Sequence, residues 1–268
     1  MGPFPKYLRF NTVLLGVLSL FGIAAFLNSA WWVYLIIFLT GFTIAYFGTT
    51  QIASNFHLPA YCQAVDLSKK EIAITFDDGV LNPVQSNLVL DILQQYQVSA
   101  TFFCIGKNLS SEEQIDVLKR MDAEGHLVGN HSFSHSNFFD FFSSKKVVQE
   151  ILDTDTIIEQ HIGKKPLFFR PPYGITTPNI AKALGQVKHK TIGWTLRSLD
   201  TVIKDEQRLL IRVQKKLKKG DVILFHDHLE FLPRFLPLFL EYLLKEGYTV
   251  VGLDQLLQLQ AYQNKPSI

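Results

Sequence analysis

The sequence predicts an α/β domain of about seven strands, preceded by a hairpin of two transmembrane helices. First, strand-like and helix-like segments alternate regularly after residue 70, which is typical of parallel strands joined by helical crossovers. Second, no Asp, Glu, Lys or Arg occurs between Phe10 and Val65. Third, polar residues able to do chemistry follow five of the strand-like segments. We therefore expect a tail (1–10), two membrane helices (11–49), a linker (50–70) and a catalytic domain (71–262).

Two apolar blocks fill the charge-free stretch, one from Thr12 to Leu27 and one from Trp31 to Phe47. A helix needs about 20 predominantly apolar residues to cross the hydrocarbon core, and each block reaches that length only with flanking residues. We expect two spans; the alternative is one span plus a buried core helix. A cleaved signal peptide is disfavoured, because a second apolar block follows the first at once.

The flanking charges predict an orientation. Lys6 and Arg9 precede the first block, whereas the connection between the blocks and the residues just after the second carry no positive charge. The positive-inside rule then places the N-terminus in the cytoplasm, and two crossings return the chain to that side. The expected location is the plasma (inner) membrane, as an integral protein with its domain on the cytoplasmic side.

Turn and cap signals separate the elements that follow. Pro83 after Asn82 opens a helix, Ser110 with Glu113 forms a capping box, and Gly163 closes a helix. The predicted strands are Glu71–Phe76, Ala100–Ile105, Leu127–Gly129, Leu167–Phe169, Thr191–Trp194, Asp221–Phe225 and Tyr248–Val251. The predicted helices begin at or near Pro83, Ser110, Ser144, Thr177, Asp205, Leu236 and Asp254. Seven parallel strands fit an open doubly wound sheet or an incomplete barrel, and the pattern alone does not separate the two.

In both architectures function lies at the carboxyl ends of the strands, so the polar residues there should cluster. The residues at those five ends are Asp77-Asp78, Asn130-His131 with His135, Arg170 to Gly174, Trp194 with Asp200, and His226-Asp227. Each feature alone has an ordinary structural explanation, such as an Asp-Gly turn or a salt-bridge arginine. Their recurrence at five strand ends favours a functional site.

Metal-assisted hydrolysis of an amide or ester is the chemistry that these residue types support. His131 and His135 have i, i+4 spacing, which on a helical turn puts both imidazoles on one face. With one aspartate they form a three-ligand set that leaves a coordination position open, where the pKa of water falls to about 7. The other aspartate can then take a proton, and His226 can protonate the leaving group.

Charge and cysteine content exclude other classes. The first 65 residues hold two basic side chains, and the remaining 24 basic and 24 acidic residues are balanced. A nucleic-acid partner is therefore not expected. Cys62 and Cys104 lack Cys-x-x-Cys spacing, so neither a zinc ribbon nor a redox motif is predicted. Two unpaired thiols are favoured over one disulfide.

Four segments resemble, in order and spacing, the motifs of the polysaccharide deacetylase family, the fourth family of carbohydrate esterases. The segments are Thr75-Phe76-Asp77-Asp78-Gly79, His131-Ser132-Phe133-Ser134-His135, Arg170-Pro171-Pro172-Tyr173-Gly174 and Leu224-Phe225-His226-Asp227. The likeness covers about residues 71–257. It implies an irregular, incomplete (β/α) barrel and a divalent metal, usually zinc.

The resemblance also assigns roles. Asp77 would be the general base, with Asp78, His131 and His135 as metal ligands. The remaining assignments are Arg170 as the charge partner of Asp77, the backbone N–H of Tyr173 for the oxyanion, Leu224 for the acetyl methyl, and His226 as the acid tuned by Asp200. Trp194 is expected to line the substrate site. Thr201 and Arg197 depart from the family pattern, which often has Trp and Asp there, and this puts the choice of sugar in doubt.

Three functions follow as hypotheses. The first is a metal-dependent hydrolase that removes N-acetyl groups from amino sugars of a polysaccharide or cell-envelope glycan. The second is a deacylase or deformylase of lipid-linked amino sugars at the membrane. The third is a non-catalytic, glycan-binding membrane protein, since a fold alone does not guarantee an activity.

Overall fold

Nine strands and nine α-helices make up residues 9–264, the part of the chain that a computed structural model describes. Most of the predicted tail, including Lys6, lies outside the described residues. The helices are α1 (Phe10–Phe26), α2 (Trp31–Thr50), α3 (Pro83–Gln95), α4 (Glu112–Ala123), α5 (Ser144–Ile162), α6 (Pro178–Leu184), α7 (Glu206–Lys216), α8 (Leu232–Lys245) and α9 (Leu253–Leu257). The strands are β1 (Ala60–Tyr61), β2 (Glu71–Gly79), β3 (Thr101–Cys104), β4 (Leu127–Asn130), β5 (Phe168–Phe169), β6 (Lys190–Ile192), β7 (Leu196–Arg197), β8 (Val222–His226) and β9 (Thr249–Val250).

The strands form one curved parallel sheet in the order β1-β6-β5-β4-β3-β2-β8-β7, and β9 pairs with the start of β2. Within residues 9–264 no strand pairing joins β1 to β7, so the barrel is open along that side. The incomplete (β/α) barrel is confirmed. Because all these strands run parallel, their carboxyl ends face one rim, where the predicted site residues lie.

Two short strands, β1 and β7, were not predicted. Each has two residues, and neither lies in an apolar run like those around the equally short β5 and β9: β7 contains one apolar residue, Leu196, and β1 directly follows Pro59. β1 lies in the segment expected to be a linker, and it pairs with β6. Phe56 in the same segment is only 2% exposed, so this stretch packs against the rest of the protein.

Two helix starts differ from the prediction. Ser111, not Ser110, caps α4: its hydroxyl accepts from the N–H of Gln114, whose side-chain oxygen accepts from the N–H of Ser111. The Ser110–Glu113 capping box is therefore wrong by one residue, because two overlapping sequences satisfy the same spacing. α8 begins at Leu232 rather than Leu236, with one proline in its first turn and Pro237 inside it.

Aromatic side chains fill the core beneath the site. Phe76, at the centre of β2, stacks on Phe102 of β3 and contacts Phe225 of β8. Phe225 in turn packs against Phe235 and Phe239 of α8. Strand β2 is buried on both faces because the sheet and helices enclose it, and the core therefore fixes the strand that carries the two aspartates.

The first two helices pack against each other as a hairpin, and Gly41 lies so close to Val17 that no larger residue would fit without movement. By length and composition, α2 is the one helix in residues 9–264 that could cross a membrane. α1 has 17 residues and extends about 26 Å at 1.5 Å per residue, less than the roughly 30 Å hydrocarbon core.

We predict that Phe225→Ala lowers the free energy of unfolding by about 3–5 kcal/mol, because it removes a buried ring that packs against three aromatic neighbours. Denaturant titration followed by circular dichroism measures the loss. Leu244→Ala, at a side chain that is 67% exposed, should change the free energy of unfolding by less than about 0.5 kcal/mol. Equal effects at the two positions would contradict the described core.

Candidate active site

The cavity at the carboxyl ends of the strands has a volume of about 220 Å³. It collects side chains from segments that are far apart in the sequence. Its lining residues are Asp77, Asp78, His131, His135, Tyr173, Trp194, Arg197, Thr201, Leu224 and His226. Of the ten site residues predicted from the sequence, eight line this cavity. The other two, Arg170 and Asp200, lie behind it and contact lining residues.

Asp78, His131 and His135 form a possible metal centre. Their ligand atoms all lie within 4.8 Å of one another. Oδ1 of Asp78 is 3.8 Å from Nε2 of His131 and 3.6 Å from Nε2 of His135. Two ligands that are each about 2.1 Å from one ion can be at most about 4.2 Å apart. Both distances satisfy that limit, so Asp78 can share a divalent cation with either histidine.

The backbone of β2 turns the two aspartates in different directions. Pairing with β3 shifts register between Phe76 and Gly79, and Asp78 has a φ of 60°. Asp tolerates this left-handed conformation better than most residues do. Gly79 has no space for a side chain, since an added Cβ would lie 2.7 Å from Sγ of Cys104. Cys62 and Cys104 are both free and buried, in line with the prediction of two unpaired thiols.

The two histidines lie on an irregular loop, so the predicted helical turn is wrong. Ser132 and His135 both have positive φ, of 65° and 45°. A carboxylate and an amide hold this shape: Glu150 accepts from the backbone N–H groups of residues 133 and 134, and Asn130 accepts from that of Ser132. Turning the backbone twice within five residues brings both imidazoles to Asp78 without a helix.

A hydrogen bond orients the imidazole of His131, and burial keeps that of His135 neutral. Nδ1 of His131 donates to the carbonyl oxygen of Arg170 at 2.7 Å, which leaves Nε2 free to coordinate. Burial, with the neighbouring His131, lowers the pKa of His135 to about 4. At neutral pH the unprotonated Nε2 of His135 therefore faces the carboxylate of Asp78.

Sequence reasoning missed the residues that support this loop. Asn130 donates to Asp155, which lies 3.1 Å from Nε2 of His189, and Glu150 makes the contacts given above. The sequence of α5 does contain a pattern that indicates them. Glu150 and Asp155 lie on the apolar face of this helix, at helical spacing from its buried aliphatic residues Val147, Ile151 and Ile158. Charged residues on an apolar helix face are rarely buried without a partner.

Arg170 holds Asp77 in its ionised form. The guanidinium is fully buried, and its Nη1 donates to Oδ1 of Asp77 at 2.7 Å. Burial alone would raise the pKa of Asp77, but the positive Arg170 and the imidazoles of His131 and His226 outweigh it and keep the pKa below 3.8. Oδ2 of Asp77 lies 3.7 Å from Nε2 of His131, which places this carboxylate beside the metal centre.

His226 lies opposite Asp77 in the register of β2 with β8. Asp200, buried behind it, accepts from Nδ1 of His226 at 2.9 Å and from its backbone N–H at 2.7 Å. Burial alone would lower the pKa of His226, but the hydrogen bond and charge of Asp200 outweigh it and raise the pKa to about 9. The site thus pairs an ionised carboxylate with a protonated imidazole at neutral pH.

The cavity walls include both positions that depart from the family pattern, Arg197 and Thr201. Tyr173 has a φ of 60°, packs its ring edge-on to His135, and donates its hydroxyl to Asn137 at 2.7 Å. Trp194 packs tightly against Gly174, and Leu224 contributes an apolar surface.

Comparison with known proteins gives consistent matches. The polysaccharide deacetylase family model matches residues 64–192. A peptidoglycan-N-acetylglucosamine deacetylase of Bacillus cereus is 33% identical over 200 residues, covering 71% of this chain and 90% of that protein. The peptidoglycan-N-acetylmuramic acid deacetylase PdaC of Bacillus subtilis is 34% identical over 194 residues. That match covers 72% of this chain but only 40% of that longer protein.

The solved structures agree with the sequence matches. The crystal structure of a peptidoglycan N-acetylglucosamine deacetylase in complex with a hydroxamate-type benzamide superposes with a TM-score of 0.69 at 30% identity. It covers 76% of this chain and 95% of that chain. About a quarter of this chain therefore lies outside the superposition.

We predict that the imidazole of His226 titrates near pH 9 in the metal-free chain, and that Asp200→Asn moves this pKa down, toward or below 6.5. The neutral amide removes the negative charge that outweighs burial. Histidine-selective NMR titration measures both values. His126, which does not line the cavity and whose pKa burial lowers to about 4, should titrate alike in the two proteins. An unshifted His226 would contradict the described pairing.

Proposed function

The chain belongs to the polysaccharide deacetylase family, and we propose that it removes N-acetyl groups from amino sugars of a cell-wall glycan while anchored to the membrane by its N-terminal hairpin. Members of this family are hydrolases of carbon–nitrogen bonds other than peptide bonds. The observation that carries the proposal is one cavity that holds a three-ligand metal set between an ionised Asp77 and a protonated His226. The named relatives act on peptidoglycan, which suggests the same substrate class here.

Asp78, His131 and His135 would hold the cation, and three nitrogen and oxygen ligands suit Zn²⁺. A divalent ion bound there supplies Lewis-acid polarisation of the acetyl carbonyl and lowers the pKa of water. Asp77 would take the proton from the attacking water, since Arg170 keeps its carboxylate ionised. Arg170 also contacts the backbone around β6, which fixes the direction of that carboxylate.

The leaving amine needs a proton, and His226 is placed to donate it. Asp200 keeps its imidazole charged and orients Nε2 toward the cavity, because Nδ1 is engaged. The backbone N–H of Tyr173 would stabilise the developing oxyanion, and Leu224 would contact the acetyl methyl. A non-catalytic, glycan-binding protein would not require this complete set of charged partners.

A second candidate is hydrolysis of an acyl or formyl group on a lipid-linked amino sugar. The observation in its favour is α2, an apolar helix of 20 residues whose end packs against the rim of the cavity. Peptidoglycan strands and lipid-carried precursors share the N-acetyl amino sugar, so the same residues serve both. We keep the cytoplasmic orientation from the charge pattern as part of this second proposal.

We predict that Asp77→Asn keeps about one bound divalent ion per chain but lowers the deacetylation of chitin oligomers by roughly 10²–10⁴-fold, the usual contribution of a general base. His131→Ala should lose both the ion and the activity. Metal analysis after dialysis and mass spectrometry of acetyl loss measure the two properties. Undiminished turnover by Asp77→Asn would remove this residue from the base role.

Arg197 predicts a substrate preference. Its side chain lines the cavity, is exposed, and forms no ion pair among the residues that the structure describes. An unpaired guanidinium at the cavity wall favours a sugar that carries a carboxylate, as muramic acid does. Arg197→Ala should therefore lower kcat/KM about 5–50-fold for N-acetylmuramic acid-containing oligomers, and less than about twofold for chitin oligomers. An equal decrease for both substrates would contradict carboxylate recognition.

A further inference from the structure

The end of α2 is hydrogen-bonded to the loop that carries Tyr173, a residue of the cavity wall. The N–H of Thr176 donates to the carbonyl oxygen of Thr49 at 3.1 Å, one residue before α2 ends. Nearby, Oγ1 of Thr49 lies 3.0 Å from Nε2 of His57, and the ring of Phe56 packs directly on Gly48. The hydrogen bond from Thr176 joins the end of α2 to the loop after β5, and the contacts of His57 and Phe56 pack the following segment against the same helix end.

The hydrogen bond between Thr49 and Thr176, which we call the joint, lies close in sequence to a residue that contacts the metal centre. Tyr173 precedes Thr176 by three residues, so their Cα atoms are at most about 11 Å apart. The Tyr173 ring packs edge-on to His135 with 4.9 Å between centroids, and its hydroxyl donates to Asn137. If α2 crosses the membrane, the mouth of the cavity therefore lies close to the level where the span ends.

Two phenylalanines project from the rim immediately after Asn137. Phe138 is 69% exposed and Phe141 is 78% exposed, whereas Phe139 between them is buried against Phe169. The buried ring anchors the segment and holds its neighbours outward. We call residues 138–142 the aromatic lip. It connects to the joint as well, because the side chain of Asn179, close to Thr176, donates to the carbonyl of residue 142.

The composition of the aromatic lip is typical of a membrane surface. Lys145 and Lys146 follow it and are exposed, and Nζ of Lys146 lies 3.7 Å from the ring centroid of Phe142. Exposed aromatic rings beside lysines are found where proteins enter the headgroup region of a bilayer. Neither Phe138 nor Phe141 lines the catalytic cavity, which makes them poorly placed to stack on the sugar that reacts.

We propose that the aromatic lip inserts into the membrane surface beside the cavity, so that the enzyme acts on amino sugars held at that surface by a lipid anchor. This inference rests on the proposed function and specifies its substrate class. The hairpin and the lip then contact the membrane at two points on one side of the cavity mouth. Together they present the metal centre to headgroup-level sugars rather than to glycan far from the bilayer.

Spin labelling of the full chain in phosphatidylglycerol–phosphatidylcholine vesicles tests the insertion. A nitroxide on Phe141→Cys should collide with dissolved oxygen in preference to a water-soluble nickel chelate, and the same label on Leu244→Cys should show the reverse. The parent chain, whose two cysteines are buried, gives the background labelling. Equal access of the nickel chelate to both labelled positions would overturn the proposal.

Activity in the same vesicles tests the substrate class. The probes are N-acetylglucosamine attached to a phospholipid, and a soluble chitin oligomer. The double variant Phe138→Ser, Phe141→Ser should lose roughly tenfold in kcat/KM on the lipid-attached probe alone, and Leu244→Ser should lose none on either. An equal loss on both probes would show sugar stacking and overturn the proposal. If the parent chain hydrolyses neither probe, the proposed function fails, while the spin labels still decide whether the lip inserts.

Discussion

The buried guanidinium of Arg170 is the contact on which the geometry of the site depends. Its N–H groups donate to Thr75 and Asp77 on β2 and to the carbonyl oxygens of residues 192 and 193 at the end of β6. The guanidinium also lies 4.0 Å from the ring centroid of Phe103. The backbone carbonyl oxygen of Arg170 accepts a hydrogen bond from Nδ1 of His131. One residue thus sets the charge of the carboxylate and the orientation of an imidazole. Since an unpaired charge in this interior costs several kcal/mol, the arrangement is strongly determined.

A second pair completes the electrostatics across the cavity. In the pair of Arg170 and Asp77, the negative group faces the cavity and the positive group lies behind it. In the pair of Asp200 and His226 the order is reversed, and the positive imidazole faces the cavity. Each reactive group is therefore held in its working protonation state by a partner buried behind it. The two groups that face the cavity lie on adjacent strands, β2 and β8, whose register places residue 77 beside residue 226.

The sequence predicted the elements and the reactive residues because both depend on local patterns. Alternating strands and helices placed Asp77, His131, Arg170 and His226 at one rim, and the structure brings them together there. The sequence did not predict the shape of the backbone. The loop from His131 to His135 depends on Glu150, which is distant in sequence and reaches the loop only in the folded protein. Short strands such as β7 likewise exist only through pairing with a neighbour, which periodicity does not record.

Several residues around the cavity have strained backbone conformations, and this strain affects how the protein unfolds. Asp78, Val80, Ser132, His135 and Tyr173 all have left-handed backbone conformations, each about 1–2 kcal/mol less favourable than the right-handed one. Within residues 9–264, Asp78 is the one strand residue with a positive φ. On heating, we therefore expect local opening to begin at the rim, so that the catalytic geometry is lost while most hydrogen bonds between strands persist.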